Sequence, residues 1–215
     1  MAKFSKKVPG ALSGLIGPII TSSNNGIPYV KSKGRKSTKP RTELQLQQEL
    51  RMTTISPFIY RMYKLLDKTF IKFANGNKGH HEACGYNMKN AVTGEYPAFV
   101  IDYSRVLVGR GDLVNAADIT AMSKPGGLVQ FDWEDNSGVG IAKPVDRAIA
   151  IIYSPVLKLA LYVNGLDFRK NCRTILDASN HLRLQGTVVE SWLLFMSKNE
   201  KEVSDSVYTG QLLIH

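Results

Sequence analysis

Apolar and polar positions change their period once along this chain. Leu46 and Leu50, then Ile59, Met62, Tyr63, Leu66, Phe70 and Phe73, recur every three to four residues. That spacing lays a single stripe on a helix. It predicts two helices, or one with a break, over about 42–56 and 57–73. Thr42 after Pro40 suits an N-cap, and Ser56-Pro57 suits the start of a second helix. ANGNKGHHEACG reads as a loop, and EACGYNMKNAVTG as a short helix ending at Gly94.

After Gly94 the period shortens. AFVIDY (98–103), RVLVG (105–109), ITAM, LVQFDW, RAIAIIY, KLALYV, RTILDA, TVVESWLLFM and DSVYTGQLLI are short and rich in β-branched or aromatic residues. Turn signals such as Lys124-Pro125-Gly126-Gly127 and Asn164-Gly165 separate them. This pattern predicts an Ig-like antiparallel β-sandwich. In TVVESWLLFM, Val188, Glu190, Trp192, Leu194 and Met196 share one face, and Val189, Ser191, Leu193 and Phe195 the other. Both faces are apolar, as a central strand requires, so Glu190 needs a partner or solvent.

Ahead of the helical region, Gly and Pro punctuate residues 1–18, and the apolar residues there suit an extended arm that docks on another surface. Asn25-Gly26, between Ile19–Ser22 and Ile27–Lys31, signals a hairpin. Pro28 removes a ladder donor, which predicts an edge strand. The expected fold is therefore α+β: a basic arm with a hairpin (1–41), a helical region (42–95) and a β-sandwich domain (96–215).

Charge sharpens this division. Lys3, Lys6, Lys7, Lys31, Lys33, Arg35, Lys36, Lys39 and Arg41 are nine of the 28 Lys and Arg residues, and no Asp or Glu precedes Glu43. The remaining 19 basic residues face 18 acidic ones, so the net charge of +10 belongs almost wholly to the arm. These nine are the candidate contacts to nucleic acid or a partner subunit. A solubilising tail is the plainer alternative. Tyr29 is the one aromatic residue among the cations of the hairpin and linker, so phosphate contact is favoured over base stacking.

Chemical motifs are sparse. His80, His81, Glu82 and Cys84 are metal-ligating types, but adjacent histidines rarely face one ion, and a polar loop is preferred. Asp132, Glu134, Asp135 and Asn136 lack EF-hand spacing and read as a solvated loop. Arg110-Gly111-Asp112 reads as a turn after a strand. Neither a phosphate loop nor a nucleophile elbow is present. These absences lower the case for an enzyme, although catalytic groups can converge from distant positions. No cofactor, metal or small-molecule substrate is implied. Cys84 and Cys172, 88 positions apart, read as two free buried thiols, with a disulfide as the alternative. Pro9, Gly10, Gly14, Gly17 and Pro18 break the first apolar stretch, so it reads as mature sequence rather than a signal peptide. No run reaches the roughly 20 apolar residues of a membrane span.

GLIGPIITSSNNGIPYVKSK, KPRTELQLQQ, GYNMKNAVTGEYPAFVIDYSRVLVGRGDL, WEDNSGVG, DRAIAIIYSP and SDSVYTGQ together resemble an uncharacterised family of Bacteroidota proteins of similar length. The resemblance implies that arm, helices and β domain form one unit, and it brings no catalytic residues. The basic start and the Pro-Arg-Thr entry to a helix also resemble phage-associated proteins. The expected function is non-enzymatic: a structural or assembly protein, of a virion or another multisubunit particle, that self-associates or binds other subunits. The alternatives are a cytoplasmic nucleic-acid-binding protein, and a carbohydrate- or surface-binding sandwich with Trp133 as an exposed platform.

Overall fold

The computed structural model describes residues 2–3, 13–24, 26–35, 38–74 and 76–215. The chain divides into two compact units, Met1–Glu43 and Leu44–His215. The first is a four-stranded antiparallel sheet of β1 (Ala2–Lys3), β2 (Gly14–Ile16), β3 (Ile19–Asn24) and β4 (Ile27–Ser32), ordered β1-β4-β3-β2. Asn24 opposite Ile27 leaves the two-residue connection that the hairpin signal predicts, with Gly26 at φ +77°. Asn25 itself lies outside the described residues. The edge expected for the Pro28 strand is corrected: β4 is an inner strand. Among the described residues β1 pairs with Tyr29 and Val30 and not with Pro28, which is why proline is tolerated there.

Helix α1 (Glu43–Arg61) runs straight through Pro57, and the break comes at Met62, before α2 (Tyr63–Thr69). Proline leaves the Thr53 carbonyl without its helical donor, but Thr53 is exposed and water can serve that oxygen. The burial of Ile55, Phe58 and Ile59 on either side of Pro57 holds the helix on its course. Ser56 therefore caps nothing; its hydroxyl donates back to the Met52 carbonyl.

The expected loop at Gly79–His81 is helix, the first turn of α3 (Gly79–Asn90). Its cap is tertiary. The Asp67 carboxylate of α2 accepts the His80 backbone N–H at 3.1 Å and meets the His80 ring Nδ1 at 2.7 Å. A side chain at Gly79 would place Cβ 2.5 Å from the Leu66 carbonyl, so α2 and α3 touch here only because residue 79 has none. The helix stops at Asn90 rather than Gly94.

Two segments expected as strands are mostly something else. A ribbon of β5 (Val92–Thr93) and β6 (Val100–Ile101) is all that AFVIDY supplies. RVLVG is not a strand. At Leu107 and Val108 its backbone is satisfied by side chains: Asn87 bonds both Leu107 N–H and C=O, Ser206 Oγ accepts from Val108 N–H, and Thr69 Oγ1 donates to the Val108 carbonyl. An apolar β-branched run can be buried without a ladder when polar side chains replace the partner strand.

The remaining strands lie where the alternation places them: β7 (Ala117–Lys124), β8 (Leu128–Glu134), β9 (Arg147–Ser154), β10 (Leu159–Phe168), β11 (Arg173–Asp177), β12 (Val188–Met196) and β13 (Val207–Leu213). They form two antiparallel sheets, β11-β8-β7 and β10-β9-β12-β13. Between them pack Val129, Phe131 and Trp133 of β8 with Ala148, Ala150 and Ile152 of β9 and Val189, Leu193 and Phe195 of β12. The opposite face of the larger sheet offers Ile149, Ile151, Tyr153, Trp192, Leu194 and Met196 to Phe58, Leu65, Leu66 and Phe70 from the helical region. Three layers result, with β9 and β12 buried on both faces. Glu190 finds its partners on β13: Tyr208 Oη donates at 2.5 Å and Gln211 Nε2 at 2.9 Å.

One end of the sandwich closes on a buried ion pair. Arg169 and Asp146 are 0% and 1% exposed, with Nε 3.4 Å from the carboxylate. Arg169 also donates to Asn136 Oδ1 at 2.6 Å and the Val114 carbonyl at 2.7 Å, and its guanidinium lies 4.2 Å over the Phe195 ring. Trp133 Nε1–H donates to the Arg169 carbonyl. Burial pulls the guanidinium pKa down, and Asp146 opposes that pull.

Replacing Arg169 by Met leaves the Asp146 carboxylate buried and unpaired. The expected loss is about 3–5 kcal/mol in urea unfolding, largely recovered by adding Asp146→Leu. Asp67 gives a pH prediction. Burial pushes its carboxyl up, but the hydrogen bonds and charge of His80 outweigh this and hold it below its ordinary 3.8. A carboxyl lowered by folding stabilises above its unfolded pKa and loses that contribution as pH falls through its folded value. Asp67→Asn should therefore be less stable than wild type at pH 6, with the gap closing below about pH 4 in acid titrations followed by circular dichroism.

Candidate functional site

The sheet of Met1–Glu43 carries the candidate basic residues, and register sets their neighbours. Directly paired residues share a face. Lys3 lies across from Tyr29, and Lys31 pairs with Ile20. The Lys31 ammonium sits 5.9 Å from the Tyr29 ring centroid. The Lys33 backbone N–H donates to the Pro18 carbonyl at 2.8 Å, which pins the exit of β4 to the β2–β3 turn. Lys31, Lys33, Arg35, Lys39 and Arg41 are all exposed. Lys6, Lys7 and Lys36 lie outside the described residues, and Lys3 is described by its backbone alone. The structure thus joins Lys3, Tyr29 and Lys31 by register, while the other described cations follow along the chain toward α1.

Among the described residues the same sheet shows no core of its own. Among residues 13–43, none whose exposure is described is buried. Register places Leu15, Ile20 and Ile27 on one face and Ile16, Ile19 and Val30 on the other. Leu15, Ile16, Ile19 and Ile27 are all exposed.

Elsewhere, tertiary contacts take up the motifs. Arg110 stacks on Phe73 and Tyr86 at 4.2 and 4.9 Å, Asp112 pairs with Lys72, and the Gly111 N–H donates to Asp205. A Cβ at Gly111 would fall 2.1 Å from the Val203 carbonyl, so this tripeptide is a packed turn. Asp132 bonds Arg173 at 2.6 Å and Gln130 at 2.6 Å; these bonds hold its carboxyl low against the upward push of burial. Asp135 accepts from Ser137, and Asn136 serves Asn115 and Arg169. Trp133 is 4% exposed, which removes the exposed platform expected for a carbohydrate-binding sandwich. Both cysteines are free; Cys84 is buried as expected, whereas Cys172 is half-buried. Burial pushes the Cys84 thiol pKa up.

A second feature was not legible in the residue spacing. Tyr63 belongs to the predicted core stripe, yet the break at Met62 turns its ring out beside that of Tyr60, with centroids 6.0 Å apart and planes 23° apart. Tyr63, Lys78, His80 and His81 line one cleft there with Tyr60. Only the three-residue interval between the tyrosines hints at it. No helix among the described residues is long and apolar enough to cross a membrane.

Comparison with known proteins adds the family and little else. No curated protein matches the chain. Among solved structures, the chain is similar to the fn3 domain of the human collagen alpha-1(XX) chain, at 14% identity over 50% of this chain and 91% of that one, with a TM-score of 0.33. It is also similar to the chicken CNTN1 FN1–FN3 domains, at 11% identity over 54% of this chain and 38% of that one, with a TM-score of 0.34. A profile match over residues 11–210 takes in β2–β4, the helices and most of the sandwich, and by that match the chain belongs to the family of unknown function DUF6266.

Proposed function

We propose that this chain is a non-enzymatic structural or assembly protein whose amino-terminal sheet docks on a neighbouring subunit of a multisubunit particle. The observation that carries this reading is the sheet without a core. A unit of this size cannot bury enough surface to be stable alone, and this one shows apolar side chains on both faces. A protein surface is the cover that suits exposed leucine and isoleucine. The strand order of the second unit, with consecutive strands divided between two sheets, supports the immunoglobulin-like class and a scaffold role. A virion is the setting that combines such a scaffold with a cationic segment.

A second reading rests on charge. Nine cations precede the first acidic residue, which favours contact with nucleic-acid phosphates by the same segment.

Two variants of the full chain separate the readings. Replacing Leu15, Ile19 and Ile27 by Ser should convert a multimer to a monomer by light scattering while circular dichroism stays native. A wild-type chain that is strictly monomeric would sink the assembly reading. Replacing Lys31, Lys33 and Arg35 by Gln should leave assembly intact. If the segment binds duplex DNA, the same changes should reduce the salt slope by about 0.9 for each cation lost.

A further inference from the structure

We infer that the cleft between the end of α1 and the start of α3 binds a nucleotide unit, a planar base carrying a phosphate. This site lies in the second unit and uses none of the residues of the assembly reading. Its chemistry comes from four observations.

The first is an exposed aromatic pair. Tyr60 is 71% exposed and Tyr63 40%, side by side on the solvent side of the helices. Tyr60 stands three residues before Tyr63, and its exposure leaves ring surface available for stacking. A base has a π-face that stacks on tyrosine whatever its identity.

The second is a pair of imidazoles beside the tyrosines. The His80 and His81 ring centroids are 4.2 Å apart, and His80 meets the Tyr63 ring edge-on at 6.1 Å. Asp67 holds His80 by its backbone N–H and by ring Nδ1, so Nε2 is the nitrogen left for a ligand. Both contacts are made to Asp67 Oδ1.

The third is positive charge at the rim. Lys78 lines the cleft, and the Lys64 ammonium lies 6.0 Å from the Tyr63 ring centroid. Aromatic faces interleaved with ammonium groups are the pattern of a groove that follows a single strand. The fourth is size. The cleft has a volume of about 460 Å³, within the range of about 300–1,000 Å³ of small-ligand sites. Met52 and Ile59 form its apolar side, where a base edge can shed water.

A nucleotide unit can come from a single strand or from a free mononucleotide, and the test distinguishes them. The full chain is titrated against a fluorescein-labelled deoxythymidine decamer by anisotropy. Adenosine monophosphate is tested separately by saturation-transfer NMR. Tyr60→Ala should weaken whichever ligand binds by about tenfold, and Tyr60→Phe should retain binding. Tyr60 is exposed, so circular dichroism of Tyr60→Ala should match wild type. Replacing Lys31, Lys33 and Arg35 by Gln should leave the dependence on Tyr60 in place. Decamer binding alone assigns the site to a strand, and mononucleotide binding assigns it to a free nucleotide. The inference is overturned if neither ligand binds, or if Tyr60→Ala and Tyr63→Ala both bind as wild type.

Discussion

The larger sheet of the sandwich is covered on both faces, and the rest of the second unit follows from that constraint. Strands β9 and β12 present Ile149, Ile151, Trp192 and Leu194 to the helices and Ala150, Ile152, Leu193 and Phe195 to the smaller sheet. In a strand buried on both sides an uncompensated polar group is costly, and Trp192 Nε1 is left without an acceptor there. Glu190 is bonded by Tyr208 and Gln211, and Ser191 by Thr209 and the Gly210 carbonyl. The helices are the third layer of one structure, and their apolar stripe is shaped to the sheet beneath. Pro57 is accommodated within α1 because the side chains around it are already committed to that sheet.

The Arg169–Asp146 pair shows the cost of closing such a layered structure at its end. Loops from four places converge there, and a charge pair fills the junction, with Arg169 hydrogen-bonded to Asn136 and Val114 and Asp146 to the Lys143 N–H. Buried pairs of this kind are weak evidence for net stability, but they fix one arrangement of the loops because a lone buried charge is so unfavourable. Trp133 and Phe195 pack on the same arginine, so the tryptophan serves the interior.

The amino-terminal sheet obeys a different rule. Its inner strands are paired through their ladders, while none of its side chains whose exposure is described is buried. Its strands are held by backbone pairing, and its apolar side chains Leu15, Ile16, Ile19 and Ile27 stay exposed. The family match begins at residue 11 and continues to 210, so β2–β4, the helices and most of the sandwich fall within a single family profile.

Sequence by itself determined the parts of this protein governed by local period and by composition. The seven sandwich strands, the hairpin at residues 25–26, the double-faced β12 and the concentration of charge before Glu43 all follow from side-chain alternation, turn chemistry and counting. Only the tertiary structure decided the rest. Asp67 caps α3 from another helix, so Gly79–His81 is helix where local signals read loop. Asn87, Ser206 and Thr69 supply hydrogen bonds that make RVLVG a connector rather than a strand. The break at Met62 turns Tyr63 outward, and Arg169 reaches Asp146 across 23 residues of chain. In each case the deciding group is a polar side chain or a helix end whose partner is distant in sequence, and local periodicity carries no information about such a partner.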